Sequence, residues 1–144
     1  MTDKIYAQLH HACAAHGTRL FTMSIQDEAK ALAWRAYTSH PKEYPVSGTK
    51  PVHKDGWYDE VITHHRTFVA NTPEEFALYF FDHALITSLG LGSCINVPVV
   101  SNGHVIGTVN LLAEAGHFTP ARVAGYQRLI ADAHAPLVLA MSGD

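Results

Sequence analysis

The sequence predicts an α+β fold: a central antiparallel sheet with helices on one face and other covering structure on the opposite face. Three observations lead there. Two β-branched runs, 92–101 and 104–112, flank Asn102-Gly103, the strongest short hairpin signal because a type I′ turn needs φ > 0 at both central residues. Both faces of that hairpin are largely apolar, so both must be covered by other structure. Strand patterns cluster in pairs while helical patterns lie at the ends and middle, the order of a layered α+β fold rather than a parallel doubly wound one.

The bulk properties suit one domain, residues 1–144. At 15.8 kDa, with 47% hydrophobic and 16% charged residues, the chain can bury a substantial core. A net charge of −3 without a basic block argues against nucleic acid. No apolar run approaches the roughly 20 residues of a membrane span, and Met-Thr-Asp-Lys-Ile-Tyr has no signal-peptide core. A soluble, cytoplasmic protein is expected. Cys13 and Cys94 are too few for a disulfide framework or a cysteine-based metal site. The eleven histidines are unusual, but His10-His11 and His64-His65 are adjacent, and helical ligand pairs need spacings of three or four. Most are expected to be structural or exposed, leaving one or two for a pocket and none for a metal.

Residues 4–16 read as a helix, with Ile5, Leu9, Ala12 and Cys13 on one stripe and Gly17 as its stop. Residues 19–26 alternate as a strand, Phe21, Met23 and Ile25 against Thr22, Ser24 and Gln26; residues 31–39 alternate again, completing a first hairpin. Prolines and glycines punctuate 40–55, and a connection of this length is usually functional. It is either a solvated excursion or a lid. Residues 57–65 form a short helix capped by Asp55, with Trp57, Val61, Ile62 and His65 facing inward. A short strand, 67–70, precedes a dense helix start: Thr72 as N-cap, Pro73 in the first turn, Glu75 closing a capping box. That helix runs to Leu89 with Phe76, Tyr79, Phe80 and His83 in register. Thr119-Pro120 opens the last helix, which Pro136 should kink or break. Pairing the central hairpin outward from its turn sets Val99 opposite Ile106 and Ile95 opposite Asn110, which puts Asn96 and Asn110 on opposite faces.

Ile95-Asn-Val-Pro-Val99, Gly103-His-Val-Ile-Gly107, Leu111 and Phe118-Thr119 before a closing amphipathic helix together resemble the GAF domain, most clearly over 88–140. The resemblance implies a GAF/PAS-like α+β sheet of five or six antiparallel strands, helices on one face, and a small-molecule pocket on the other under the long loop and middle helices. Particular subfamilies fit less well. The cyclic-nucleotide type carries Asn-Lys, Phe and Asp-Glu where this chain has Ala113-Glu114, Phe118 and Arg122-Val123. The bilin type needs a cysteine in the loop-and-helix region, where this chain has none. The free methionine sulfoxide reductase type has a cysteine at the place of Thr87.

A pocket built from these parts would draw ligand-binding residues from Trp57, Tyr58, His65, Phe80, His83, Cys94 and Asn96: Trp57 or Tyr58 to stack on a planar ligand, His65 and His83 to hydrogen-bond near neutral pH, Asn96 to orient it. Asp82-His83 diverge by about 100° on a helix and do not form a dyad. The leading expectation is a stand-alone sensory or regulatory module binding a small molecule. It would be a homodimer through its terminal helices and would signal to a separate output protein. No cofactor or catalytic residue is assigned. The competing readings are a small redox enzyme using Cys94 or His83, and an interaction module whose pocket has closed.

Overall fold

The computed structural model describes residues 2–142. Six antiparallel strands form one sheet in the order β3-β2-β1-β6-β5-β4: β1 (Leu20–Asp27), β2 (Leu32–Thr38), β3 (Lys50–Pro51), β4 (Phe68–Ala70), β5 (Ser93–Ser101) and β6 (His104–Ala113). The helices are α1 (Thr2–Ala14), α2 (Gly56–Tyr58), α3 (Pro73–Ala77), α4 (His83–Ser88), α5 (Pro120–Asp132) and α6 (His134–Ser142), with a π-helical turn at Asp59–Thr63.

Alternation along the central strands divides the molecule in two. Phe21 and Met23 of β1, Val109 and Leu111 of β6, and Ile95, Val97 and Val99 of β5 form the main core. Against them pack Tyr6, Leu9 and Cys13 from α1, Tyr126 and Ile130 from α5, and Leu137 and Met141 from α6. On the opposite face Leu20, Cys94 and Leu112 meet Tyr44, Phe76, Ile86 and Leu91.

The chain turns where its local chemistry directs. Asn102 and Gly103 take φ of 53° and 78° at the central hairpin, as a type I′ turn demands. The Asp55 side chain accepts from the Tyr58 N–H, and Thr72 and Glu75 complete their capping box. Thr119 caps α5 by accepting from the Arg122 N–H. Pro98 sits beyond the end of β4, whose last pair is Phe68 with Asn96; that edge of β5 requires no donor from it.

Three expectations are corrected, and a fourth is met one turn before its proline. The hairpin register is Ser101 with His104 and Val100 with Val105, but then Val99 with Gly107, so Ile106 is an extra residue on β6. This β-bulge shifts all later pairs by one and places Asn96 directly opposite Asn110, on the same face. Gly107 permits the close approach here: a Cβ would overlap the Ser24 carbonyl oxygen and Met141 Cε. Second, the 57–65 helix passes through a π turn, with the His64 N–H bonded to the Asp59 carbonyl. The turn's extra residue slips the helical phase. Val61 and Ile62 are buried, but His65, at φ 57°, is exposed. Third, 73–89 is two short helices broken around Phe80-Phe81-Asp82, so His83 restarts the helix and faces outward. Fourth, Pro136 lies inside α6, and the break falls at Ala133; the proline ring excludes the carbonyl four residues back, that of Asp132.

Residues 40–55 run as a strap along the outer edge of the sheet. The Ser47 N–H donates to the Arg35 carbonyl, the Arg35 N–H donates to Ser47 Oγ at 2.8 Å, and the Val52 N–H reaches the Ala31 carbonyl. Tyr44 turns from the strap into the second core.

Candidate functional site

The face of the sheet turned away from α1, α5 and α6 carries a polar row. Register sets Thr22, Asn110 and Asn96 side by side across β1, β6 and β5. Trp57 Nε1–H donates to Asn96 Oδ1 at 2.9 Å, and Asn96 Nδ2 donates to Asn110 Oδ1 at 2.9 Å. Asn110 Nδ2 donates to both Thr22 Oγ1 and Ser24 Oγ at 3.1 Å. The direction of this chain is fixed at one end. An indole N–H can only donate, so Asn96 must offer it the oxygen, which turns the Asn96 amide nitrogen towards Asn110 and the Asn110 nitrogen towards the hydroxyls. Asn96 is 5% exposed. Leaving one such buried group unpaired costs about 1–3 kcal/mol.

Above the row lies a groove. Its larger part, a cleft of about 340 Å³ between β1, β2 and the strap, is lined by Ser24, Arg35, Lys50, Trp57, Phe81 and Asn110 among others. A recess of about 160 Å³ shares Ser24, Arg35 and Asn110 and adds Thr22, Tyr44, Phe80, Asp82 and Asn96. The two adjoin over the polar row through these shared residues and are together called the groove. Phe81 stands at its rim, 94% exposed.

Arg35 links the two parts. Its Nη1 donates to the Pro45 carbonyl at 2.8 Å, and its guanidinium carbon lies 5.1 Å from the centre of the Tyr44 ring. Tyr44 donates its hydroxyl to Asp82 Oδ2 at 2.5 Å. Burial, and then the hydrogen bond to the Asp82 carboxylate, push the Tyr44 phenol well above its usual value. Burial lowers the Arg35 value, opposed by Tyr44 and Asp82, yet a guanidinium remains cationic throughout the neutral range.

Of the seven residues singled out from sequence, Trp57 and Asn96 join the polar row, and Phe80 lines the recess, 6.0 Å from the rings of Phe68 and Phe76. Tyr58 packs beside Val61, Ile62 and Val105, with Lys54 Nζ 5.8 Å from its ring centre, outside the groove lining. Cys94 is fully buried beneath the recess, and its thiol is pushed far up by burial, with Asp82 and Glu75 adding to the effect. His65 and His83 are exposed and outside the groove, removed by the π turn and the break after Phe80. Asn110, set apart by the unbulged register, is the hub. Thr22, Ser24, Arg35, Tyr44 and Asp82 were not anticipated, although the polar alternation of Thr22, Ser24 and Gln26 in an otherwise apolar strand marks the face.

The two thiols do not meet. Cys13 lies in the helix-side core and Cys94 in the opposite one. Burial pushes Cys13 up to about 12. Among the described residues no group of three or more His, Cys, Asp or Glu is arranged to hold a metal ion, and no helix is long and apolar enough to cross a membrane.

Comparison with known proteins places this geometry in context. A family model described as GAF domain matches residues 3–134. No curated protein matches the sequence. Among solved structures, the GAF domain/HD domain protein from Geobacter sulfurreducens superposes with a TM-score of 0.77 at 16% identity, covering 96% of this chain and 93% of that one. The GAF domain of a two-component sensor histidine kinase from Bacillus halodurans gives 0.76 at 11% identity, covering 99% and 97%. Free methionine-R-sulfoxide reductase from Neisseria meningitidis, in complex with its substrate, gives 0.68 at 17% identity, covering 100% and 83%.

Proposed function

The chain belongs to the GAF domain family, and from that premise we propose that it is a sensory or regulatory module that binds a small molecule in the groove above Asn96 and Asn110. The observation that carries this reading is the directed polar row. A sheet face that only had to be covered would be filled with apolar side chains, as the helix side is. This face instead pairs a buried amide, Asn96, with the half-buried Asn110 amide and Trp57 indole N–H beside a cleft of about 340 Å³, at the small end of the size range of ligand sites. Trp57 supplies a flat wall, Phe80 and Phe81 border the groove, and Asn96 and Asn110 hold the floor rigid.

The thiol-enzyme reading has less support. A reductase that cycles through a disulfide needs an attacking thiolate and a resolving thiol within reach. Cys13 and Cys94 are separated by the sheet, and burial disfavours both thiolates. The open cleft also weighs against a closed interaction module. The proposed module works in the cytoplasm, as buried free thiols suit. It pairs with a second copy through its terminal helices, where Leu139 is 75% exposed, and passes its signal to a separate partner.

Native mass spectrometry of protein purified without added ligand tests the reading. The expected result is a mass increment that disappears when the protein is unfolded, or a bare protein whose melting temperature rises with members of a metabolite panel and no longer does so once Trp57→Ala opens the cleft. Bare protein that no compound stabilises, or stabilisation indifferent to Trp57, would overturn it.

A further inference from the structure

The groove has an electrostatic direction. Arg35 and Lys50 line the cleft, and no carboxylate does. The adjoining recess holds one acid, Asp82, and the Tyr44 hydroxyl is bonded to it at 2.5 Å. Among the described residues neither Arg35 nor Lys50 is in an ion pair. Arg35 is nonetheless held in place: one donor is on the Pro45 carbonyl, the guanidinium lies against the Tyr44 ring, and the backbone beneath is tied to Ser47. A guanidinium has five N–H donors in a fixed fork, so a positioned fork remains for a partner.

The polar row points the same way. Because the Trp57 indole can only donate, the chain of amides ends with Thr22 and Ser24 accepting from Asn110. Each hydroxyl therefore keeps its own proton to give away. Ser24 lines both parts of the groove, as Arg35 does, and the two residues are cross-strand partners in the β1–β2 ladder. One end of the site thus presents a guanidinium and hydroxyl donors side by side. The other presents the flat indole of Trp57 and, at the rim, the Phe81 ring. Planar, bidentate recognition of a carboxylate is what an arginine fork does best.

We propose that the ligand of this cleft is a small aromatic carboxylate, its acid group held by Arg35 and Ser24 with Lys50 adding charge at the mouth, and its ring lying against Trp57. This rests on the reading of the groove as a ligand site and specifies the class of molecule it takes. The aromatic part matches the apolar wall, and the anionic head matches donors that no carboxylate approaches to ion-pair distance, Asp82 acting on Arg35 only from beyond it. A neutral isostere would leave the Arg35 fork desolvated and unpaired, which is how a polar site rejects the wrong ligand.

Isothermal titration of the full chain with 2-naphthoate and 2-naphthamide, two planar probes of nearly the same shape and opposite character at the head group, tests the proposal. The acid should bind at least about tenfold tighter than the amide, with the preference shrinking as salt is raised. Arg35→Gln should abolish the preference. Should Arg35→Gln also lower the melting temperature, Lys50→Gln, on the exposed strap, keeps the test open: it should cut acid binding severalfold and leave amide binding unchanged. Equal or tighter binding of the amide would overturn the carboxylate assignment while leaving the groove as a ligand site. Failure of both probes at millimolar concentration would overturn the aromatic carboxylate assignment, while the groove as a ligand site is judged by the Trp57→Ala stabilisation test.

Discussion

The two faces of one sheet, built from the same strands, do different things. Towards α1, α5 and α6, β1, β5 and β6 present Phe21, Met23, Ile95, Val97, Val99, Val109 and Leu111. That side is filled and closed by three helices. One residue along each strand, the sheet presents Thr22, Ser24, Asn96, Thr108 and Asn110 instead. The difference teaches where stability and function are separated. The helix face holds the fold together by apolar burial, which is non-directional and tolerant of the partner's chemistry. The groove face carries directional bonds that contribute only about 1 kcal/mol each net of solvation but are costly to leave incomplete.

Substitutions on the two faces should therefore fail in different ways. The largest effect is expected from Phe21→Ala, which removes a fully buried ring from the helix-side core; urea unfolding should show a loss of about 3–5 kcal/mol, while the folded fraction keeps its ligand preference. Gly107→Ala should cost about 2–3 kcal/mol, because its Cβ would meet both the Ser24 carbonyl of the neighbouring β1 and Met141 of α6. On the groove face, Asn110→Ala leaves the Asn96 amide nitrogen and both hydroxyls without their partner. Its stability loss should be smaller, about 1–3 kcal/mol, with a disproportionate loss of ligand binding. A double-mutant cycle with Asn96→Ala should return a coupling of about 0.5–3 kcal/mol, which independent positions would not.

The pH responses are smaller and come from the helix side, where Cys13 and His117 are buried. Burial holds the Cys13 thiol up to about 12 from its usual 9.0. The unfolded chain ionises it first, so stability present below pH 9 declines as pH rises from about 9 towards 12. Denaturation at pH 8 and pH 10 should show this slope; Cys13→Ala should reduce it, the buried Cys94 thiol supplying the remainder. At the acid end, burial holds His117 below 6.5, outweighing the Glu114 carboxylate 3.5 Å away. The folded protein resists that proton and the unfolded chain accepts it, so stability falls as pH drops through 6.5. His117→Gln, able to keep the bond to the Tyr126 hydroxyl, should reduce the slope.

Much of this architecture was legible in the residues. Period-two alternation identified β1 and β2, Asn102-Gly103 identified the central turn, and Thr72, Glu75 and Thr119 identified helix starts, because each signal is local and has one physical reading. The bulge at Ile106 was not legible. Val97, Val99, Val105, Ile106 and Val109 are acceptable on either face of a sheet covered on both sides, so no polar residue penalised the unbulged register until Asn96 and Asn110 had to find partners. The same holds for the π turn that exposes His65: an inserted residue changes the phase of every residue after it and leaves no mark in composition. The groove itself joins Arg35 to Tyr44 and Asp82, a contact spanning much of the chain that no local pattern encodes. Trp57, Phe80 and Asn96 border the groove because their elements flank the central hairpin, while Tyr58 packs away from it.

The central claim is that the polar row is the floor of the ligand site. The chain has two tryptophans, Trp34 and Trp57, and both line the cleft, so their indole N–H resonances report on it directly. Titration with 2-naphthoate, followed by ¹H–¹⁵N correlation spectra, should shift the Trp57 indole and the Asn96 and Asn110 side-chain amides while amides of α1 and α6 stay in place. Shifts confined to α1 and α6, with the Trp57 indole and both asparagine amides unmoved, would contradict the claim.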